Sequence, residues 1–139
     1  MKLRGLSRIV LRANRLPETE NFYRDILGLP VRYRIGRDGV VLAVGPDELV
    51  LRQAEAGLSS EAPDPRLAHF GFDLPHPEDV DRWAKRFREA GVPILWGPFW
   101  RAGRRVLFIL DPDGNRIELS APGEQAELQG QIQGRGRMR

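Results

Sequence analysis

The sequence predicts an α+β fold in which a unit of one strand, one helix and three further strands occurs twice. Three observations support this fold class: two amphipathic helical segments, short apolar segments bounded by turn residues, and the same order of elements in both halves of the chain. With 139 residues, the chain is long enough to bury one core. We therefore expect a single domain at residues 1–121, followed by a flexible tail at 122–139.

The first module is predicted at about residues 6–54. Its first strand, "RIVLRA", alternates apolar and polar side chains except at Val10. The segment "LPETENFYRDILGL" has apolar residues at helical spacing and ends at Gly28, which suits a helix C-terminus. Three strands follow, divided by the turn sequences "GRDG" and "GPDE", and are predicted at 30–36, 39–45 and 48–54.

The second module repeats this order at about residues 67–121, after a linker of small residues and prolines at 55–66. The segment "LAHFGFDL" predicts its first strand. The segment "HPEDVDRWAKRFREAG" predicts a helix, because acidic residues lie in its first turn, basic residues in its last turn, and Gly91 at its end. The three remaining strands are predicted in "VPILWGP", "RRVLFIL" and "NRIELSA".

The composition excludes several classes of protein. The chain contains no cysteine, so disulfides, thiolate zinc sites and cysteine nucleophiles are excluded, and two histidines cannot form a three-histidine metal site. A net charge of +3 without a concentrated basic stripe argues against a nucleic-acid partner. No segment has the roughly 20 apolar residues of a membrane-spanning helix, and the N-terminus lacks a secretory signal. We expect a cytoplasmic protein that binds neither nucleic acid nor membrane.

The last predicted strand carries a carboxylate between two apolar residues. Side chains of a strand point alternately to its two faces, so Glu118 points away from the face shared by Ile117 and Leu119. That second face of the strand points either to solvent or into a cavity.

Three motifs together resemble the vicinal oxygen chelate superfamily, which includes glyoxalase I, bleomycin and fosfomycin resistance proteins, and the extradiol dioxygenases. They are the helix "ENFYRDILGL", the strand opening "HFGFDL" and the hairpin "DPDGNRIEL", in the expected order and spacing. The resemblance implies two βαβββ modules that form a curved, cupped mixed sheet with the helices outside. It also implies a homodimer, since relatives commonly complete the cup by dimerisation.

In metal-using relatives, ligands come from the first and last strands of each module. The resemblance therefore assigns His69 and Glu118 to the cavity in the second module. In the first module it places Arg8 where such relatives commonly have histidine or glutamine, and Val50 or a neighbour where glyoxalase I has a carboxylate. An arginine is cationic and has no lone pair for a metal.

Two interpretations of these residues follow. In the first, Arg8, His69 and Glu118 form a hydrogen-bonded polar cluster without metal, in which the arginine neutralises the carboxylate. In the second, His69 and Glu118 bind a divalent ion such as manganese, iron, nickel or zinc, although catalytic zinc usually has three protein ligands.

A segment rich in aromatic residues and arginines, "WGPFWRAGRRVLF", precedes the last hairpin. Aromatic and guanidinium groups together can bind a planar or anionic ligand by stacking, cation–π contact and charged hydrogen bonds. The alternative is that these residues belong to the core or to a dimer surface. The ligand-binding candidates in this segment are Trp96, Trp100, Arg104 and Phe108.

We therefore expect a protein that binds a small aromatic or anionic molecule in a metal-free cup. The competing expectation is a metal-dependent lyase, isomerase or extradiol-type dioxygenase that acts on a substrate with vicinal oxygens.

Overall fold

The computed structural model of the protein describes residues 1–55 and 66–124. Most of the predicted linker, residues 56–65, and most of the predicted tail, residues 125–139, lie outside the described residues. The chain divides into two units, one of residues 1–63 with 112–114 and the other of residues 64–111 with 115–139. No helix in the described part of the chain is long and apolar enough to cross a membrane.

The first unit contains a four-stranded sheet and one helical segment. Strand order is β1-β4-β3-β2, with β1 parallel to β4 and the other neighbours antiparallel. The elements are β1 (Arg8–Ala13), α1 (Leu16–Asn21), a π-helical segment (Phe22–Ile26), β2 (Val31–Ile35), β3 (Gly39–Val44) and β4 (Asp47–Gln53).

The second unit repeats this topology. Strand order is β5-β8-β7-β6, with β5 parallel to β8 and the other neighbours antiparallel. The elements are β5 (Phe70–Asp73), α2 (Pro77–Ala90), β6 (Ile94–Arg101), β7 (Arg104–Leu110) and β8 (Arg116–Pro122). The predicted α+β class with two βαβββ modules is thus confirmed.

The helix of the first module differs from the continuous α-helix that the sequence predicts. After Asn21 the backbone widens into a π-helical turn, in which the Leu27 N–H donates to the carbonyl oxygen of Phe22 at 3.0 Å. The wider turn accompanies the burial of two adjacent aromatic side chains, Phe22 and Tyr23, whose rings meet edge to face at 4.9 Å. Periodicity alone does not distinguish an α-turn from a π-turn.

The helix of the second module follows its sequence signals closely. It buries Val80, Ala84 and Phe87, which are spaced so that they lie on one side of the helix. It ends at Gly91, whose left-handed backbone (φ 73°) lets its N–H reach the carbonyl oxygens of Phe87 and Arg88. Helix α2 packs against β6, β7 and β8.

Each sheet has two different faces. In β1, Leu11 and Ala13 are buried while Arg8, Val10 and Arg12 are exposed. We call the face that carries these three exposed residues the open face of the first sheet. In the second sheet, the open face is the one opposite α2, and it carries Glu118.

Candidate functional site

Strands β5 and β8 bring the two predicted residues of the second module together. Gly71 lies opposite Glu118 in the parallel ladder, and His69 precedes β5 by one residue. The Nε2 atom of His69 is 3.4 Å from Oε2 of Glu118, and both side chains are partly exposed. The glycine places no side chain beside the carboxylate, so Glu118 remains accessible on the open face.

Aromatic rings extend this site along the same row of the sheet. Phe108 lies opposite Glu118 on β7, and Trp96 lies opposite Phe108 on β6. The Phe108 ring makes edge-to-face contacts with His69 at 5.1 Å and with Trp96 at 5.6 Å between centroids. Trp96 is 50% exposed, so the row ends in a large aromatic surface that a ligand can cover.

Arg116 completes the site and was missed by sequence reasoning. Its guanidinium carbon lies 5.5 Å from the centroid of the Trp96 ring, a cation–π distance. It precedes Glu118 by two residues on β8, so both residues share one face. The same alternation that singled out Glu118 would have identified Arg116.

Arg104 lies on the open face but is held by neighbouring polar groups. Its guanidinium donates hydrogen bonds to Oδ1 of Asp73 and, at 3.1 and 3.2 Å, to Oγ of Ser120. Asp73 and Ser120 lie opposite each other in the β5–β8 ladder. The positive charge of Arg104 is therefore partly compensated within the sheet.

Trp100 lies on the other face of the second sheet. It is opposite Arg105, whose guanidinium lies 5.6 Å from the Trp100 ring and pairs with Asp81 of α2 at 2.8 Å. The register of β6 against β7 shifts between Trp96 and Phe99, and this shift reverses the alternation of faces. The structure consequently does not place Trp100 beside Trp96.

Arg8 lies on the open face of the first sheet and pairs within its own module. It is opposite Glu48 in the β1–β4 ladder, and its Nη2 atom is 2.9 Å from Oε1 of that carboxylate. The sequence predicted Arg8 as the cation that neutralises Glu118. In the structure Arg8 pairs with Glu48, and Glu118 lies 3.4 Å from His69.

Glu48 lies two residues before Val50 on β4, and the sequence analysis did not single it out. Val10 and Val50 lie opposite each other, two residues beyond the Arg8–Glu48 pair. In the second module Gly71, two residues beyond His69, lies opposite Glu118 in the same way. The ladder position of Glu118 is therefore occupied by a valine in the first module. A carboxylate is present two residues earlier and on the same face.

These residues fit a three-ligand metal centre poorly. Over residues 1–55 and 66–124, no group of three or more histidine, aspartate or glutamate side chains could hold a metal ion. His69 and Glu118 supply one imidazole and one carboxylate, and Arg8 supplies no lone pair. Two protein donors fall short of the three that are usual for catalytic zinc.

The regions of the chain that match known proteins include both modules. The family model described as Glyoxalase/Bleomycin resistance protein/Dioxygenase superfamily matches residues 5–119. The chain is 29% identical over 122 residues to Virulence protein STM3117 of Salmonella typhimurium. The aligned region covers 83% of this chain and 82% of that protein. It is also 29% identical over 126 residues to Glutathione transferase FosA of Serratia marcescens. This alignment covers 91% of this chain and 86% of that protein.

A solved structure shows the same similarity in three dimensions. The structure of lactoylglutathione lyase from Agrobacterium tumefaciens superposes with a TM-score of 0.72 and 26% identity, and the match covers 87% of this chain and 96% of that one. Sequence and structure therefore agree on one family.

Proposed function

The chain belongs to the Glyoxalase/Bleomycin resistance protein/Dioxygenase superfamily, and from this premise we propose that it binds a small aromatic or anionic molecule without a metal. The observation that carries the proposal is the half-exposed Trp96 on the open face of the second sheet, with Arg116 against its ring. An aromatic ligand would stack on the indole, and an acidic group would meet the guanidinium.

Other residues on this face support the same class of ligand. Phe108 is 7% exposed and packs edge to face against Trp96, and His69 offers a polar group at the other end of the aromatic row. Two relatives carry glutathione in their names, and glutathione is an anionic peptide. These names support an anionic ligand, although the superfamily hosts several activities on one fold.

A metal-dependent lyase, isomerase or dioxygenase is the second candidate, because His69 and Glu118 lie 3.4 Å apart. In that function these two residues would hold a manganese, iron, nickel or zinc ion, and the ion would polarise substrate oxygens as a Lewis acid. The small donor set favours the metal-free proposal.

Binding of 1-naphthoate, measured by isothermal titration calorimetry, tests the proposal. We expect Trp96→Ala to weaken this binding by about fivefold or more, because loss of a stacking partner removes about 1–3 kcal/mol. Trp100→Ala is the matched control, since it removes the same side chain from the opposite face, and should change affinity by less than about twofold. The neutral analogue 1-naphthamide shows how much the charge contributes. Failure of both compounds to bind the wild-type protein would contradict the proposal.

Glu118→Gln separates the two candidate functions. Without a metal, removal of this negative charge from the open face should strengthen 1-naphthoate binding roughly threefold to tenfold, since about 1 kcal/mol of repulsion disappears. Asp81→Asn is the control, because it removes the same charge from α2. Elemental analysis of protein purified without chelators completes the test. Near-stoichiometric metal that is absent from Glu118→Gln would overturn the metal-free proposal.

A further inference from the structure

Two aspartates of the chain, Asp38 and Asp113, directly precede a glycine. Asp38 lies in the turn between β2 and β3, and Asp113 lies in the turn between β7 and β8. A peptide bond between aspartate and glycine can convert spontaneously to an isoaspartyl bond. We propose that Asp38 is a modification site at which this conversion occurs in the folded protein, whereas the fold protects Asp113.

The reaction joins the aspartate side chain to the backbone. The backbone nitrogen of Gly39 attacks Cγ of Asp38, a C–N bond forms, and water leaves with one carboxyl oxygen. Water then adds to either carbonyl carbon of the resulting succinimide ring and breaks one of its C–N bonds. Cleavage at the main-chain carbonyl carbon leaves the chain connected through the side chain as isoaspartate. One water leaves and one enters, so no oxidant or other reactant is required.

The side chain of Asp38 is free to approach this nitrogen. It is exposed, and within residues 1–55 and 66–124 no group donates a hydrogen bond to it. The carbonyl oxygen of Asp38 accepts a hydrogen bond from the Gln53 N–H at 2.7 Å, at the end of the β3–β4 ladder. Bonds at the end of a ladder open by local fluctuation without global unfolding. The reaction at Asp38 therefore requires only local opening of the turn.

The side chain of Asp113 is fixed at both oxygens. Its Oδ1 atom accepts a hydrogen bond from the Asn14 N–H at 3.0 Å, and its Oδ2 atom accepts one from Oγ1 of Thr19 at 2.7 Å. Hydrogen bonds to an ionised carboxylate are stronger than those between neutral groups. Rotation of Cγ toward the nitrogen of Gly114 would break both bonds, so the reaction at Asp113 has an additional barrier.

Strand packing retains the reactive glycine after Asp38. A Cβ atom added at Gly39 would lie 3.0 Å from Cβ of Ile35 and 3.4 Å from the carbonyl oxygen of Leu51. A larger residue would shield the backbone nitrogen and slow the reaction, but it would also crowd β2 and β4. The turn therefore keeps the glycine, and with it an unshielded nitrogen beside Asp38.

Ageing of the intact protein at neutral pH tests the inference. Isoaspartate is labelled by an isoaspartate methyltransferase with radioactive S-adenosylmethionine and is located by peptide mapping. We expect position 38 to contain at least about tenfold more isoaspartate than position 113, because reaction at Asp113 must break two charged hydrogen bonds. Ageing in guanidinium chloride is the matched control. Without the fold, the two positions should differ by less than about threefold.

Two variants assign the label to individual positions. Asp38→Glu should abolish labelling at position 38, because glutamate would have to close a larger ring, and should leave position 113 unchanged. Thr19→Val removes the hydrogen bond to Oδ2 of Asp113, so isoaspartate at position 113 should rise about threefold or more while position 38 is unaffected. Thermal unfolding before ageing verifies that each variant is folded.

Three results would overturn the inference. The first is the absence of isoaspartate at position 38 in the aged wild-type protein, and the second is an equal amount at both positions. The third is the same tenfold difference in guanidinium chloride, which would assign the reactivity to local sequence instead of the fold. Comparison of the folded and denatured wild-type protein decides the matter even if Thr19→Val does not fold.

Discussion

Replacement of Gly97 by alanine should destabilise the protein by about 3 kcal/mol or more. Gly97 lies in β6 with φ +94°, where residues with a side chain are strained. A Cβ atom there would lie 2.5 Å from the carbonyl oxygen of Val106 and 3.2 Å from Cα of Leu107. Both atoms belong to the backbone of the neighbouring strand, so relief of the clash requires displacement of β7. Urea unfolding measures the loss.

Gly91→Ala is the matched control for this prediction. Gly91 also has a positive φ, +73°, but its added Cβ would meet nothing within 4 Å. We expect a cost of about 1 kcal/mol from the backbone conformation alone. Equal stabilities of Gly97→Ala and Gly91→Ala would show that β7 does not approach Gly97 this closely.

Replacement of Asp113 by alanine should cost about 2–4 kcal/mol. Its Oδ1 atom accepts a hydrogen bond from the Asn14 N–H at 3.0 Å, and its Oδ2 atom accepts one from Oγ1 of Thr19 at 2.7 Å. Thr19 is buried, so removal of the carboxylate leaves a hydroxyl without this acceptor in a site with little water. Thermal or urea unfolding measures the change.

Two comparisons locate the origin of that loss. Asp38→Ala removes an exposed aspartate that also precedes a glycine in a turn, and should change stability by less than about 0.5 kcal/mol. A double-mutant cycle of Asp113→Ala with Thr19→Val isolates the hydrogen bond between them. Strict additivity of the two substitutions would show that this bond contributes nothing to stability.

The elements were predictable because their signals are local. The last helix was delimited by acidic residues in its first turn and by Gly91, and the structure has it at Pro77–Ala90. The "DPDG" sequence indicated a turn between two strands, which is where it lies between β7 and β8. The hydrogen bonds of Asp113 were not predictable, because its partner Asn14 lies 99 residues away in the sequence.

The candidate site was predictable in part for the same reason. Strand alternation and the family resemblance indicated His69 and Glu118, which the structure brings to 3.4 Å. The position of Trp100 was not indicated, because the register shift after Trp96 depends on contacts with β7. The pairing of Arg8 with Glu48 depends on the β1–β4 register, which no single segment encodes.

The two modules contain equivalent pairs of parallel strands, and this arrangement affects how the sequence of the protein can change during evolution. Val10 faces Val50 in one sheet, and Gly71 faces Glu118 in the other. Each register is set by backbone hydrogen bonds within its own sheet, so a side-chain exchange in one ladder leaves the other in register. After a duplication, the two halves of such a gene can therefore acquire new specificities one at a time. For protein engineers, the chain offers two sheets whose open faces can be altered independently.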